Sequence, residues 1–343
     1  MEGTGRATQR RVRIAVFPVA GFAENFLPAT KACPKEMLPI VDRPLIQYAV
    51  EEAAAAGLTR MVLVTGRGKR AIEDHFDHAY ELERELMARS NDAALTDLRS
   101  AVPAGVTFSY VHQPGASGLA DAIARARPIV GEEPFAVVLP DHLIDGERPA
   151  LAQLLDVFAE QQVSVVGAQR VASESRAVAG LIGADLGESA VRSARALVNV
   201  PPIGAVSTAL AAAGRYVFTA AVWKALERVD DNDDGALSHA IRRLMERERV
   251  FACLIEGRRF DCGSKLGFLE AQLAFARKRD ELWPALVRNL RALVAEHPEA
   301  GERSVPRAAL TSNANPRTDE QRAHGSAEPH QRPTRIGGHA FEA

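Results

Sequence analysis

With 343 residues, 47% of them apolar, the chain can bury one large core or two modest ones. A formal net charge of −2 gives no electrostatic footprint for nucleic acid, and no run approaches the ~20 apolar residues that cross a bilayer. Cys33, Cys253 and Cys262 have no zinc-ligand spacing and are too few for a disulfide framework, which fits a reducing cytoplasm.

The opening MEGTGRATQRR has no apolar stretch of secretory type, and residues 1–10 are expected to be disordered. Residues 11–19 (RVRIAVFPV) alternate and then run apolar, as a buried first strand does. Ala20 and Gly21 break that strand, and the loop after them carries Lys31 and Lys35. A small-residue turn lets backbone N–H groups approach an anion, and lysines add point charges, so the stretch outlines a phosphate site. An ordinary surface loop with two solvated lysines has the same spacing.

Residues 44–56 have helical periodicity, with proline at the start and Gly57 at the end. A short strand is expected at 60–65, helices at 69–76 and 78–101, and another strand at 106–111. Gln113 and the Gly115–Gly118 turn follow, then a helix at 120–127 and a buried strand at 135–139 (FAVVL) ending at Pro140-Asp141. The alternation argues for βαβ units in a parallel sheet with right-handed crossovers. Ligands in such sheets bind beyond the carboxyl ends of the strands. Ala20, Gly21, Gln113 and Asp141 all fall at such ends, so they should face one cleft.

Beyond this, a helix is expected at 151–161 and a strand at 163–168. The Ala-, Gly- and Ser-rich stretch 171–213 reads as a small β-rich insertion. A strand at 215–219, helices at 220–228 and 235–249, and a strand at 250–255 come next. Phe260 to Gly263 form a turn before a helix at 265–278, and 283–294 is a last helix. From about 299 the composition turns to Pro, Arg, Ser, Asn, Gly and His, as in a disordered tail. A carboxylate just past a buried strand, as at Asp141, suits a hard cation held together with phosphates, or else caps the turn after Pro140. His142 reads as a loop residue, and Ser117 as a helix cap.

The run AGxxxxxLPATKxxPKEMLPIVDRPLIQY (20–48) resembles the bacterial UTP–glucose-1-phosphate uridylyltransferases of the sugar-nucleotidyltransferase superfamily, and HFDxxxELE (75–83) is similar to theirs too. The resemblance covers roughly residues 12–280. It implies an α/β fold, a Rossmann-like, mainly parallel sheet flanked by helices with a small β-rich insertion. It also implies a single nucleotidyltransferase domain over 11–298, with a nucleotide half at about 11–150 and a sugar half at about 151–298. The implied reaction joins UTP and glucose 1-phosphate into UDP-glucose and pyrophosphate in the cytoplasm, with Mg2+ and without nucleic acid or membrane as partner.

Carried over by position, Ala20, Gly21, Lys31 and Lys35 would meet the nucleotide phosphates, and Gln113 and Gly118 the uracil. Lys35 and Asp141 would be catalytic, and Asp141 and Asp261 would hold the metal. Gly180, Asn199 and Asp261 would meet the sugar or its phosphate. The chain departs from the family pattern in four places, one of them Asn232-Asp233-Asp234-Gly235-Ala236-Leu237-Ser238-His239-Ala240 for Gly-Asp-Glu-Ile-Gln-Leu-Thr-Asp-Ala. It also reads Gly21-Phe22-Ala23-Glu24-Asn25 for Gly-x-Gly-Thr-Arg, Gly118-Leu119-Ala120-Asp121-Ala122 for Gly-Leu-Gly-His-Ala, and Val198-Asn199-Val200-Pro201 for Val-Glu-Lys-Pro. Two cations are thereby lost, each typically worth ~3 kcal/mol to a transition state. Two functions follow as expectations: an active uridylyltransferase with weakened activity, or a regulatory paralogue that binds nucleotide or pairs with an active enzyme. Either could assemble as a homo-oligomer, and the second as a hetero-oligomer.

Overall fold

A computed structural model describes residues 10–115, 117–172, 181–184, 191–198, 208–227 and 235–296. The expected tail beyond 299, and the N-terminal segment apart from Arg10, lie outside the described residues. In chain order the first strands are β1 (Ile14–Pro18), the two-residue pieces β2 (Pro39–Ile40) and β3 (Arg43–Pro44), β4 (Arg60–Gly66), β5 (Thr107–Gln113) and β6 (Phe135–Val138). Then come β7 (His142–Asp145), β8 (Val165–Ala172), β9 (Leu181–Ala184), β10 (Val191–Val198), β11 (Thr208–Phe218), β12 (Phe251–Leu254) and β13 (Arg258–Asp261).

Nine of these form one sheet in the order β5-β4-β1-β6-β11-β8-β12-β10-β9. The first four are mutually parallel, with Ile14 beside both Arg60 and Phe135. They carry the βαβ alternation read from the sequence, and their carboxyl ends share one edge. β11 reverses direction against β6 and β8, so the second half of the sheet is mixed. The β-rich stretch is hydrogen-bonded onto that same sheet: β9 and β10 close its far edge.

Strand geometry sorts alternate residues to opposite faces. In β1, Ile14 and Val16 join the core on one face, and Ala15 and Phe17 the core on the other. Phe135 and Val137 of β6 divide from Ala136 and Val138 in the same way. On the first face Phe135 stacks on Trp223 at 4.6 Å between ring centres, and the indole N–H donates to the Gly131 carbonyl. Each such fully buried side chain stabilises the fold by roughly 1.5–3 kcal/mol. A third, smaller core joins Ile40, Leu143, Phe260 and Ala271 beneath the helix Lys265–Ala276.

One polar cluster in this interior bears on the site. Arg215 of β11, 1% exposed, forks onto Glu52 of the helix Leu45–Ala55 at 2.7 and 3.0 Å. Its Nη1 donates to the Leu139 carbonyl at 3.0 Å, and Glu52 also accepts from the Leu151 backbone N–H. The strand, two helices and the loop leading to Asp141 are thus tied at one point.

Several boundaries differ from the sequence reading for local reasons. The single helix expected at 78–101 is two, Tyr80–Ala88 and Asp92–Arg99. Ser90 takes a left-handed conformation (φ 52°), and the Asn91 side chain accepts from the Ala94 N–H to cap the second helix. The helix expected from 120 begins at Gly118, whose φ of +85° makes the turn. Ser117 stands at its N-cap, but its side chain makes no capping bond. His142 is not a loop residue: it opens β7. No helix among the described residues is long and apolar enough to cross a membrane.

Candidate active site

A cavity of about 440 Å³ opens at the carboxyl edge of the parallel strands. Ala20 and Gly21 line it just past β1, Gln113 ends β5, and Pro140 and Asp141 follow β6. The convergence expected of those residues is present. From β5 to β6 there are three strand steps of about 4.8 Å, so the cleft is long enough to lay out a nucleoside and its phosphates. Ala20 approaches β4 closely, since a Cβ on Gly66 would meet Ala20 Cβ at 3.2 Å.

At the β6 end Lys35 Nζ lies 2.5 Å from Asp141 Oδ2. Burial works against the lysine's charge. Asp141, Glu36 and Asp261 outweigh it, and the ammonium is held well above its ordinary value. Burial likewise opposes charge on Asp141, yet Lys35 draws the carboxyl well below the usual carboxylate range. Both groups are therefore ionised throughout the physiological range. Beneath them, Glu36 and Lys69 form a second pair at 2.7 Å, 2% and 7% exposed. Burial pushes the Glu36 carboxyl up, with Lys69 opposing it.

The antiparallel pairing of β7 with β13 sets Asp261 opposite His142, and the Cys262 N–H donates to the Asp141 carbonyl at 2.8 Å. This register brings a second carboxylate to the first. Asp261 Oδ1 accepts from the Gly263 N–H at 3.1 Å, and a Cβ on Gly263 would lie 3.6 Å from Asp141 Oδ2. Asn25 Nδ2 donates to the Gly263 carbonyl at 3.3 Å, tying the first loop to this turn. Burial pushes the neighbouring His142 imidazole down, toward its neutral form. Among the described residues no three His, Cys, Asp or Glu side chains form a metal cluster. Two hard carboxylate oxygens completed by substrate phosphates fit a magnesium ion, which seldom has an all-protein cage.

At the β5 end Gln113 is 3% exposed. Its Nε2 donates to the Gly118 carbonyl at 3.2 Å and to Asp121 Oδ2 at 2.7 Å. The N-terminus of the helix Gly118–Arg125 thus packs against the amide, and Gly118 lines the cavity with it.

Lys31 is exposed on a short 3-10 turn and does not line the cavity. Gly180 and Asn199 lie outside the described residues, as does Val200. Sequence reasoning missed Lys69, which compensates a buried glutamate 33 positions away, and Asp121, first read only as a lost histidine. It also missed that Phe22 and Glu24 line the cavity. Only the pairing of Lys69 with Glu36 across the fold distinguishes it from a surface lysine.

Comparison with known proteins agrees with this geometry. The nucleotidyl transferase family matches residues 15–278. The UTP–glucose-1-phosphate uridylyltransferase of Bacillus subtilis (strain 168) is 42% identical over 280 residues, 81% of this chain and 96% of that protein. The UTP-bound UGPase from Acinetobacter baumannii superposes with a TM-score of 0.77 at 34% identity, covering 81% of this chain and 98% of that one. A UDP-glucose pyrophosphorylase complexed with UDP-glucose gives 0.70 at 38% identity, covering 78% and 100%. With a matching core, a cleft at the carboxyl edge and this degree of identity, the chain belongs to the nucleotidyl transferase family, in its branch of bacterial UTP–glucose-1-phosphate uridylyltransferases.

Proposed function

We propose that this chain transfers the uridylyl group of UTP to glucose 1-phosphate, releasing pyrophosphate. The observation that carries the reading is the meeting of Lys35, Asp141 and Asp261 at one end of a cleft whose other end is Gln113 and Gly118. The sugar-phosphate oxygen forms a bond to the α-phosphorus in line as the bond to the pyrophosphate oxygen breaks. Such a transfer needs two polyanions positioned and their charge neutralised, and little covalent help.

In this reading the Ala20-Gly21 backbone and Lys35 hold the triphosphate, Lys31 is assigned to it by position alone, and Gln113 and Gly118 take the uracil. Gly180 and Asn199 are assigned to the sugar by position alone. Asp141 and Asp261 would hold Mg2+, which neutralises phosphate charge when bound. Lys35 leaves Asp141 for a phosphate oxygen as substrate arrives, because a dianionic phosphate competes with a single carboxylate for the ammonium. The chain would work as one domain over 11–298, with the nucleotide half at about 11–150 and the sugar half at about 151–298. A cytoplasmic location is supported by the free thiols of Cys33, Cys253 and Cys262.

The enzyme is preferred to a regulatory paralogue because the relatives compared above carry the enzyme's name and none is described as a regulator. Pyrophosphate release from UTP, glucose 1-phosphate and Mg2+ tests it. Steady turnover that requires all three components supports the reading. UTP binding without turnover would give the site to the regulatory alternative.

A further inference from the structure

A glutamine amide is ambivalent toward a base: turned one way it presents an acceptor, turned the other way two donors. In this protein the choice is made by the groups behind it. Gln113 Nε2 faces two acceptors, the Gly118 carbonyl at 3.2 Å and Asp121 Oδ2 at 2.7 Å. Turning the amide over would press its oxygen against both. Asp121 is itself fixed, since Arg125 Nε donates to the same Oδ2 at 2.7 Å from one helical turn away. The carboxylate is only 14% exposed, so water does not readily replace it as the acceptor. Gln113 Oε1 has no donor among the described residues and is not sealed off, and Gln113 itself lines the cavity.

We propose that Asp121 is a positioning residue for base selection, locking the Gln113 amide so that only its oxygen addresses the base. An acceptor at that point fits the N3–H of uracil or thymine and opposes the N3 lone pair of cytosine. Asp121 therefore sets specificity without touching substrate. The proposal rests on the nucleotide site described above and adds to it a residue that the uridylyltransferase pattern, with histidine there, does not provide.

Calorimetric titration of the full chain with UTP and with CTP, both with Mg2+, tests it on three proteins. The unchanged protein should favour UTP. Asp121→Leu, which removes the shorter of the two bonds that hold the amide, should lower the UTP-to-CTP preference about tenfold, the worth of one hydrogen bond. Asp121→Asn, whose oxygen still accepts from Nε2, should hold that preference within about threefold. Asp121→Ala replaces the leucine variant should the latter fail to fold by circular dichroism. UTP methylated at N3 lacks the donor and should bind the unchanged protein at least about tenfold more weakly, whatever the variants do. An unaltered UTP-to-CTP preference in Asp121→Leu, or equal binding of the methylated nucleotide, overturns the role of Asp121 while leaving the site intact. Absence of binding by either nucleotide to the unchanged protein overturns the site itself, and the proposal with it.

Discussion

Lys35 and Asp141 each keep a charge that burial alone would remove, and each does so through the other. The sign of the linkage follows. Asp141 titrates lower in the folded chain, so its contribution to stability is present above the ordinary carboxylate value and lost as pH falls below it. Lys35 titrates higher, so its contribution is complete below the ordinary lysine value and lost only as pH rises past it. Replacing Asp141 by Asn should cut pyrophosphate release by about a hundredfold or more, because it would remove the proposed metal ligand and the partner of Lys35 together. Steady-state assays across Mg2+ concentrations check this, and near-normal activity would exclude Asp141 from metal binding. Asn25→Arg should act in the other direction. It gives up the bond to the Gly263 carbonyl but restores a cation beside the phosphates, so kcat/KM should rise about tenfold.

Two features at the scale of elements have consequences for stability. The Lys69–Glu36 pair clamps the turn after the Lys35 loop to the start of the helix Arg70–Phe76. Lys69→Met would leave a buried carboxylate without its hydrogen-bonded partner, at a cost of about 3–5 kcal/mol. Because burial already raises Glu36, removing Lys69 raises it further. The variant's deficit should then be smaller at pH 5 than at pH 8, because a raised carboxyl takes up its proton more readily as pH falls. Urea midpoints at the two pH values measure it, and a deficit independent of pH would refute the account. Gly214 joins the two halves of β11 at φ +71°, and a Cβ there would come within 2.5 Å of the His142 ring. Gly214→Ala should therefore cost at least about 2 kcal/mol and displace the strand that follows Asp141, so melting temperature and activity should fall together.

For the whole molecule, the sheet order puts the Gln113 end and the Lys35–Asp141 end of the cleft on different strands of one layer. A nucleotide spanning the cleft binds the folded chain alone, so it must stabilise it by mass action. At a hundred times Kd the gain is about 2.7 kcal/mol. UTP with Mg2+ should therefore raise the melting temperature by about 5 °C. Differential scanning fluorimetry with and without the ion checks this, and no shift at millimolar UTP would contradict a nucleotide site here.

How much of this could be read in advance depended on the range of the interactions. The apolar runs of β1, β4 and β6, the breaks after them, and the placing of Ala20, Gly21, Gln113 and Asp141 at strand ends are all local patterns, written in consecutive residues. Together with the 20–48 motif they specified the fold class and the cleft before any coordinates. The reversal of β11, the burial of Lys69 against Glu36 and the bond from Gln113 to Asp121 were not legible in that way, and the meeting of Asp261 with Asp141 was implied by the family resemblance alone. Each is a contact between groups whose partner is chosen by strand register or helix packing, and a buried charge or amide declares its role only once that partner is beside it.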